Sequence, residues 1–180
     1  MDAHEAAAKD LARTGERNAT VELVAYDPSW QASFEVERAR LAPLLPGSEL
    51  HHFGSTSVPG LAAKPIVDMI ALVPDLDAPI AGLVQSARYE YPEAFNATLR
   101  HRRFLCYPSP ARRTHHLHLV DDLDELNERL RFRDRLRTDA SIAEQYLALK
   151  RELAERHRDD REAYTEGKGE FIRMHSRIRG

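Results

Sequence analysis

The sequence predicts an α/β (α+β) fold in which a mixed sheet carries helices packed mainly on one side. Residues 65–73 (PIVDMIALV) are aliphatic and β-branched and are bounded by prolines, which is typical of a buried strand. Residues 103–107 and 116–120 predict two more strands, and the turn-rich segment between them favours a hairpin. Helices over residues 122–136 and from residue 141 to about 164 each have one apolar stripe and a charged opposite face.

The amino-terminal half predicts shorter elements. Residues 21–25 (VELVA) form an apolar-rich run that favours a strand. Apolar spacing predicts a helix from Trp30 to Leu45, which the following Pro-Gly pair ends. A brief strand over residues 50–53 and a helix over residues 79–87 complete this half.

The composition is that of an ordinary globular domain. The chain has 180 residues, of which 31% are charged and 42% apolar, and its formal net charge is −3. This balance gives no strong signal for a nucleic-acid or membrane partner. The single cysteine, Cys106, excludes an intramolecular disulfide and a thiolate metal site. Because we find no secretory signal or apolar span, we expect a cytoplasmic protein, with a leader over residues 1–19 (disordered or a short helix) and one domain over residues 20–180.

The segment from Gly54 to Lys64 (GSTSVPGLAAK) has the residues that a phosphate-binding loop needs. Glycine lets the backbone approach an anion, successive N–H groups can face one concavity, and hydroxyl and ammonium groups add donors. The spacing is not that of a P-loop, because Lys64 does not directly follow the second glycine. A plain turn between two strands is the alternative. The predicted phosphate-binding residues of this segment are Gly54, Ser55, Thr56, Ser57 and Lys64.

Asp68 lies inside the apolar strand, where a carboxylate must be paired, hydrogen-bonded, bound to a metal or turned towards a cleft. His116 and His118 are two residues apart, so they project from the same face of their strand. With His52, these residues predict a metal site whose donors suit Zn²⁺, Mn²⁺ or Fe²⁺ more than Mg²⁺. Polar residues on an exposed sheet face would explain the same pattern.

Arginines cluster around the predicted hairpin, where guanidinium groups could bind an anionic ligand. Arg102 and Arg103 are neighbours on one strand, so only one of them can face the cleft, and the sequence leaves open which. A solvated basic hairpin is the alternative. The cluster comprises Arg100, Arg102, Arg103, Arg112 and Arg113, of which Arg102 and Arg103 are the predicted phosphate ligands.

The stretch HHFGSTSVPGLAAKPIVDM (residues 51–69) closely resembles the GrpB (UPF0157-type) family. Further matches are Val24-x-Tyr26-x-Pro28-x-Trp30, His116-Leu117-His118 and Tyr164-Thr165-x-x-Lys168-x-x-Phe171-Ile172, so the resemblance covers about residues 20–175. It implies a fold similar to the polymerase-β-like nucleotidyltransferases. In that superfamily a Gly-Ser pair precedes a strand with an Asp-x-Asp/Glu pattern that binds Mg²⁺.

The resemblance implies that Gly54-Ser55 and Asp68 match this pattern, with Asp68 and Ser55 as catalytic residues and with Mg²⁺ or Mn²⁺, less readily Zn²⁺, as the metal. Ile70 occupies the position of the second carboxylate and cannot bind a metal. Related domains are fused to dephospho-coenzyme A kinase, which indicates a nucleotide or coenzyme A context.

Three functions remain open on the sequence. The first is metal-dependent transfer of a nucleotidyl or phosphoryl group to an acceptor. The second is a non-catalytic module that binds a nucleotide, a coenzyme A-related compound or another phosphorylated small molecule. The third is a hydrolase in which the His/Asp set activates water on a metal.

Overall fold

The computed structural model describes residues 20–177. Its four strands are β1 (Leu50–Phe53), β2 (Val67–Leu72), β3 (Arg102–Tyr107) and β4 (His115–Val120). They form one mixed sheet in the order β1-β2-β4-β3. β1 pairs antiparallel with β2, β2 pairs parallel with β4, and β3 and β4 form the expected antiparallel hairpin. The predicted α/β class with a mixed sheet is therefore confirmed.

Most predicted helices are present with shifted ends. Two helices that the sequence did not predict, α3 and α7, are short. The helices of the described residues are α1 (Ser29–Leu41, continued by a 3₁₀ turn over Ala42–Leu44), α2 (Ile80–Gln85), α3 (Glu93–Asn96), α4 (Leu123–Thr138), α5 (Ala140–Arg156), α6 (Arg161–Glu166) and α7 (Gly169–Ser176).

Aspartate caps fix where the carboxyl-terminal helices begin. Asp122 accepts a hydrogen bond from the backbone N–H of Asp124 at the start of α4, and Asp139 accepts one from Ile142 at the start of α5. The long helix predicted from residue 141 to about 164 is instead two helices. The break follows from Asp160, which has extended backbone angles and caps α6 through the N–H of Ala163.

The segment predicted as a first strand, residues 21–25, makes only one isolated bridge, between Val24 and Ala63. Val24 and Ala63 exchange two backbone hydrogen bonds. The next pair of such a ladder would need an N–H from Pro65, which has none. The ladder therefore ends after one pair, and the segment remains irregular.

Helices lie on both faces of the sheet, which differs from the expected one-sided arrangement. On one face, Met69, Leu105 and Leu117 pack against residues of α1 and α2 in the main core. On the other face, Ile70 and Val120 are almost fully buried beneath Leu126 of α4, with Leu130 beside them. Helix α4 covers this second face because the carboxyl-terminal halves of β2 and β4 are apolar on both faces. Exposing that apolar surface to water would lower the stability of the fold.

A further core ties the helices to the loop between β1 and β2. Val58 and Leu61 of the loop pack with Phe132 of α4 and with Ile142 and Tyr146 of α5. Phe171 of α7 lies against the same cluster, and its ring stacks on that of Tyr146. The carboxyl-terminal helices therefore form one wall of the space around the loop. No helix among the described residues is both long and apolar enough to cross a bilayer.

We predict that Asp139→Ala lowers the free energy of unfolding by about 1 kcal/mol, because the first turn of α5 loses its capping acceptor. Urea denaturation monitored by circular dichroism measures this change. The control is Glu144→Ala, which alters an exposed residue of the same helix and should change stability by less than about 0.5 kcal/mol. Equal effects of the two substitutions would contradict the assigned cap.

Candidate functional site

Asp68 and His116 form the centre of the site. They lie opposite each other near the amino-terminal ends of the parallel strands β2 and β4 and point to the same face of the sheet. The Nδ1–H of His116 donates a hydrogen bond of 2.9 Å to Oδ1 of Asp68. Burial raises the pKa of Asp68, but the hydrogen bond from His116 and the charges of neighbouring groups outweigh it, so this pKa lies below its usual value. Asp68 is therefore ionised at neutral pH.

His118 completes a group of three side chains that could together bind a metal ion. One potential ligand atom from each of Asp68, His116 and His118 lies within 4.8 Å of the other two. Burial lowers the pKa of His116 to about 4 and that of His118 well below its usual value. Both rings are neutral at pH 7, which is the form that binds metals. Nε2 of His116 is buried and has no hydrogen-bond partner among the described residues. The three residues thus fit a divalent metal ion.

Gly54 lies directly against this carboxylate. Its φ of 69° is in the left-handed region, and a Cβ added here would lie 2.6 Å from Oδ2 of Asp68. Glycine is therefore required both by the backbone angle and by the space. The 3₁₀ turn Ser55–Ser57 follows at once, so its first backbone groups lie beside Asp68.

The hydroxyl groups of the turn have different roles. Thr56 and Ser57 are buried, and their hydroxyls donate to the carbonyl oxygens of Ile66 and Gly54, at 3.1 and 2.6 Å. They hold the loop together instead of facing a ligand. Arg137 of α4 adds two hydrogen bonds from its guanidinium to the carbonyl of Ser57, at 3.0 and 2.8 Å. Ser55 is the half-buried member, and its side chain opposes the rise in the pKa of Tyr146 that burial causes.

His52, predicted as a metal ligand, lies on the other face of the sheet. It pairs with Met69 in the register of β1 and β2, so it points into the core under α1. Its ring stacks on Phe34 with 4.9 Å between centroids, and Nε2 is 3.0 Å from Oγ1 of Thr56. Burial lowers the pKa of His52 to about 4. Its role in this structure is to support the loop from beneath, apart from Asp68, His116 and His118.

The structure resolves which arginine of β3 lies on the face of the sheet that carries Asp68, His116 and His118. Arg102 points to the same face as His118 and lies 3.6 Å from Glu125 of α4. Arg103 points to the opposite face, where its guanidinium makes hydrogen bonds of 2.7 and 3.1 Å to the carboxylate of Asp77. The prediction that both arginines serve as phosphate ligands therefore does not fit the geometry. Arg113, from the β3–β4 turn, lies over the ring of Phe104 next to His116.

Two side chains at the site were missed in the sequence. Tyr146 was interpreted only as a packing residue of a helix, and Lys150, one turn later, was not considered. Lys64 and Lys168 both approach the ring of Tyr164, with Nζ 5.4 and 4.2 Å from its centroid. The composition could have drawn attention to these lysines, because lysine is rare in this chain, with 4 lysines against 22 arginines.

The comparisons with known proteins establish the family. The family model described as GrpB protein matches residues 20–177, so this chain belongs to the GrpB family. The chain is 38% identical over 158 residues to UPF0157 protein YqkA of Bacillus subtilis (strain 168), a match that covers 85% of this chain and 45% of YqkA. The crystal structure of the conserved protein GrpB from Enterococcus faecalis matches with a TM-score of 0.74 and 36% identity, covering 86% of this chain and 94% of that one.

A more distant match has a different name. The dephospho-CoA kinase of Mycolicibacterium paratuberculosis (strain ATCC BAA-968 / K-10) is 28% identical over 198 residues, which covers 95% of this chain and 47% of the kinase. The chain thus spans less than half the length of both YqkA and this kinase.

We predict that Gly54→Ala destabilises the protein by about 3 kcal/mol or more, because the new methyl group meets the Asp68 carboxylate in addition to the strain of a positive φ. The matched control is Gly47→Ala. Gly47 has a similar φ of 75° with nothing within 4 Å of its added Cβ, so this substitution should cost only about 1–2 kcal/mol. Equal losses in chemical denaturation would show that the contact with Asp68 is not tight.

A second prediction concerns acid stability. Because the pKa of folded His52 is about 4 and its usual value is 6.5, the unfolded chain binds a proton before the folded chain does as the pH falls. Stability should therefore decrease between pH 6.5 and 4, by on the order of 3 kcal/mol for this residue. His52→Gln should flatten part of this pH dependence. An NMR titration of the His52 ring that gave a midpoint near 6.5 would contradict the prediction.

Proposed function

We propose that this chain binds the phosphate groups of a nucleotide at the turn that begins with Gly54 and Ser55, and transfers a nucleotidyl or phosphoryl group in a metal-dependent reaction. The observation that carries this proposal is the contact between the Gly54 backbone and the Asp68 carboxylate. It puts the first backbone N–H groups of the turn and the Ser55 hydroxyl next to a carboxylate that could bind a metal ion. Phosphoryl-transfer enzymes depend on such positioning and on charge neutralisation.

The metal would be held by Asp68, His116 and His118. One carboxylate and two neutral imidazoles form a donor set that favours Mn²⁺, Fe²⁺ or Zn²⁺ over Mg²⁺. Ile70, at the position where a second carboxylate would be expected, is 1% exposed and packs beneath α4. The side chains at this centre therefore support a single ion. When bound, the ion would polarise a phosphate oxygen.

The protein groups have separate roles in this proposal. Ser55 and the N–H groups of the turn donate hydrogen bonds to phosphate oxygens, and so fix the orientation of the transferred group. The oxygen of an acceptor hydroxyl would attack the phosphorus atom and release its proton to water, while the bond from phosphorus to the bridging oxygen breaks and the rest of the phosphate chain leaves as an anion. The cationic side chains on both sides, Arg113 and Lys64, reduce the negative charge that repels the attacking oxygen.

A non-catalytic binding module is the second candidate, and Ile70 is the observation that favours it. A domain that has only one carboxylate at this position could retain phosphate binding without turnover. The match to a protein named dephospho-CoA kinase makes dephospho-coenzyme A a ligand to include in the test. A hydrolase that uses the same metal would act on phosphate esters without an added acceptor.

We predict that Mn²⁺ with a nucleoside triphosphate raises the thermal midpoint more than either alone, and that EDTA removes the increase. Four nucleoside triphosphates and dephospho-coenzyme A would be compared with Mn²⁺, Zn²⁺ and Mg²⁺. Asp68→Asn should abolish the metal-dependent part of the shift and reduce turnover of the stabilising nucleotide by about 100-fold or more. Amide and carboxylate have the same shape, so the fold should be retained.

The matched control is Asp77→Asn, which changes a carboxylate on the opposite face and should leave both readouts unchanged. Nucleotide binding that persists in EDTA and in Asp68→Asn would support the binding module and contradict metal-dependent transfer. Release of phosphate from the nucleotide without an acceptor, dependent on Asp68, would support the hydrolase.

A further inference from the structure

The lysines of this chain are distributed in an unusual way. The sequence contains 22 arginines and only 4 lysines. Three of the lysines, Lys64, Lys150 and Lys168, fall within the described residues. All three have their Nζ atoms over the ring of Tyr146 or Tyr164. The two side chains are not equivalent, since a lysine ammonium is a compact charge that can lose its proton, whereas a guanidinium stays charged.

Two tyrosine rings organise these lysines. The Nζ atoms of Lys64 and Lys168 lie over the ring of Tyr164, at 5.4 and 4.2 Å from its centroid. Nζ of Lys150 is 5.1 Å from the ring centroid of Tyr146 and donates a hydrogen bond to the carbonyl of Ala62. The Ser55 side chain in turn acts on the hydroxyl of Tyr146, because it opposes the rise in pKa that burial causes there. The lysines therefore lie next to the turn that begins at Gly54, although they come from three distant parts of the sequence.

The electrostatics of Lys150 and Lys168 are unfavourable without an anion. Among residues 20–177, no carboxylate forms a salt bridge with Lys150 or Lys168. Lys150 is 1% exposed, and its charge and that of Lys168 repel each other. Asp68 attracts Lys168, whereas Arg161 opposes its charge. Like charges held close together in a partly buried place repel each other and raise the free energy of the folded protein. An anionic ligand would offset this cost.

We infer that Lys64 and Lys168, on the face of Tyr164, form a subsite for a chain of phosphate groups. This inference rests on the proposed function, because it assigns the phosphate chain of the nucleotide to these lysines. It differs from the metal centre in requiring neither His116 nor His118. Two or more phosphates are favoured over one because the subsite offers two ammonium groups beyond the turn.

The environment of the lysines makes binding of an anion depend on pH, because burial and neighbouring cations favour their neutral form. Burial, with the charges of Lys168 and Arg151, lowers the pKa of Lys150 to about 7. Burial and Arg161 lower the pKa of Lys168 to about 8, against the opposing effect of Asp68. A bound anion favours the protonated form and raises both pKa values. Affinity should therefore be highest below about pH 7 and decrease as the pH rises past 8.

The test is calorimetric titration with inorganic tripolyphosphate in EDTA, at about pH 6.5 and pH 9. We expect the dissociation constant to be about tenfold or more higher at pH 9. The ligand itself gains negative charge as the pH rises, so it cannot cause this loss.

Lys168→Gln should weaken binding about tenfold or more at pH 6.5. Lys168→Arg keeps a permanent charge and should reduce the difference between the two pH values. Arg156→Gln, which removes an exposed cation from the end of α5, is the control that should retain binding.

Failure of this inference can be distinguished from failure of the proposed function. If tripolyphosphate does not bind in EDTA while Mn²⁺ and a nucleotide still stabilise the protein through Asp68, the lysine subsite is wrong and the proposed function stands. If tripolyphosphate binds as expected but no metal effect exists, the subsite stands and metal-dependent transfer is wrong. Equal affinity of wild type and Lys168→Gln, or affinity that rises with pH, would overturn the inference. A variant that fails to fold is replaced by Lys168→Arg, whose pH profile tests the same point.

Discussion

The contact between the backbone of Gly54 and the carboxylate of Asp68 is the constraint on which the rest of the site depends. A Cβ at this position would meet Oδ2 of Asp68 at 2.6 Å, so loop and strand can approach this closely only with glycine. The loop is then held from several directions, by Thr56 on Ile66, by Arg137 on Ser57, and by the packing of Val58 and Leu61 beneath α4 and α5. Much of the carboxyl-terminal helical region therefore serves to keep one turn beside one carboxylate.

Burial also sets which of the side chains around Asp68 are charged. It makes the two imidazoles of His116 and His118 neutral, whereas Asp68 stays ionised because His116 donates a hydrogen bond to it. On the metal-binding side the protein thus presents one negative charge and two uncharged nitrogen donors. On the other side, Lys168 and Lys64 supply positive charge around Tyr164. A polyanion bound between these sides would meet cations at one end and a potential metal site at the other.

The sequence predicted the four strands of the sheet well because their apolar runs are short, β-branched and bounded by turn residues, although residues 21–25 did not form the predicted strand. It could not assign faces, because a face depends on register, and register is set by tertiary pairing. His52 was grouped with Asp68 since both flank the loop, yet antiparallel pairing places His52 opposite Met69 and so in the core. The same reason left Arg102 and Arg103 undecided. Lys150 was missed because a lysine in a charged helix normally faces solvent, and only packing shows otherwise.

In the proposed function, the single carboxylate and the lysine cluster would act on the same ligand. A site with two metal ions needs several carboxylates to hold the ions, and the ions then neutralise the phosphates. Here Ile70 is built into the core under α4, so the second carboxylate cannot be restored by a side-chain rotation. A site with fewer metal charges needs cations from the protein itself if it is to hold several phosphates. In the proposed function, lysines would supply them without acting as ligands of the metal. In the proposed function, the single carboxylate on one side and the ammonium groups on the other would together accommodate a polyanion.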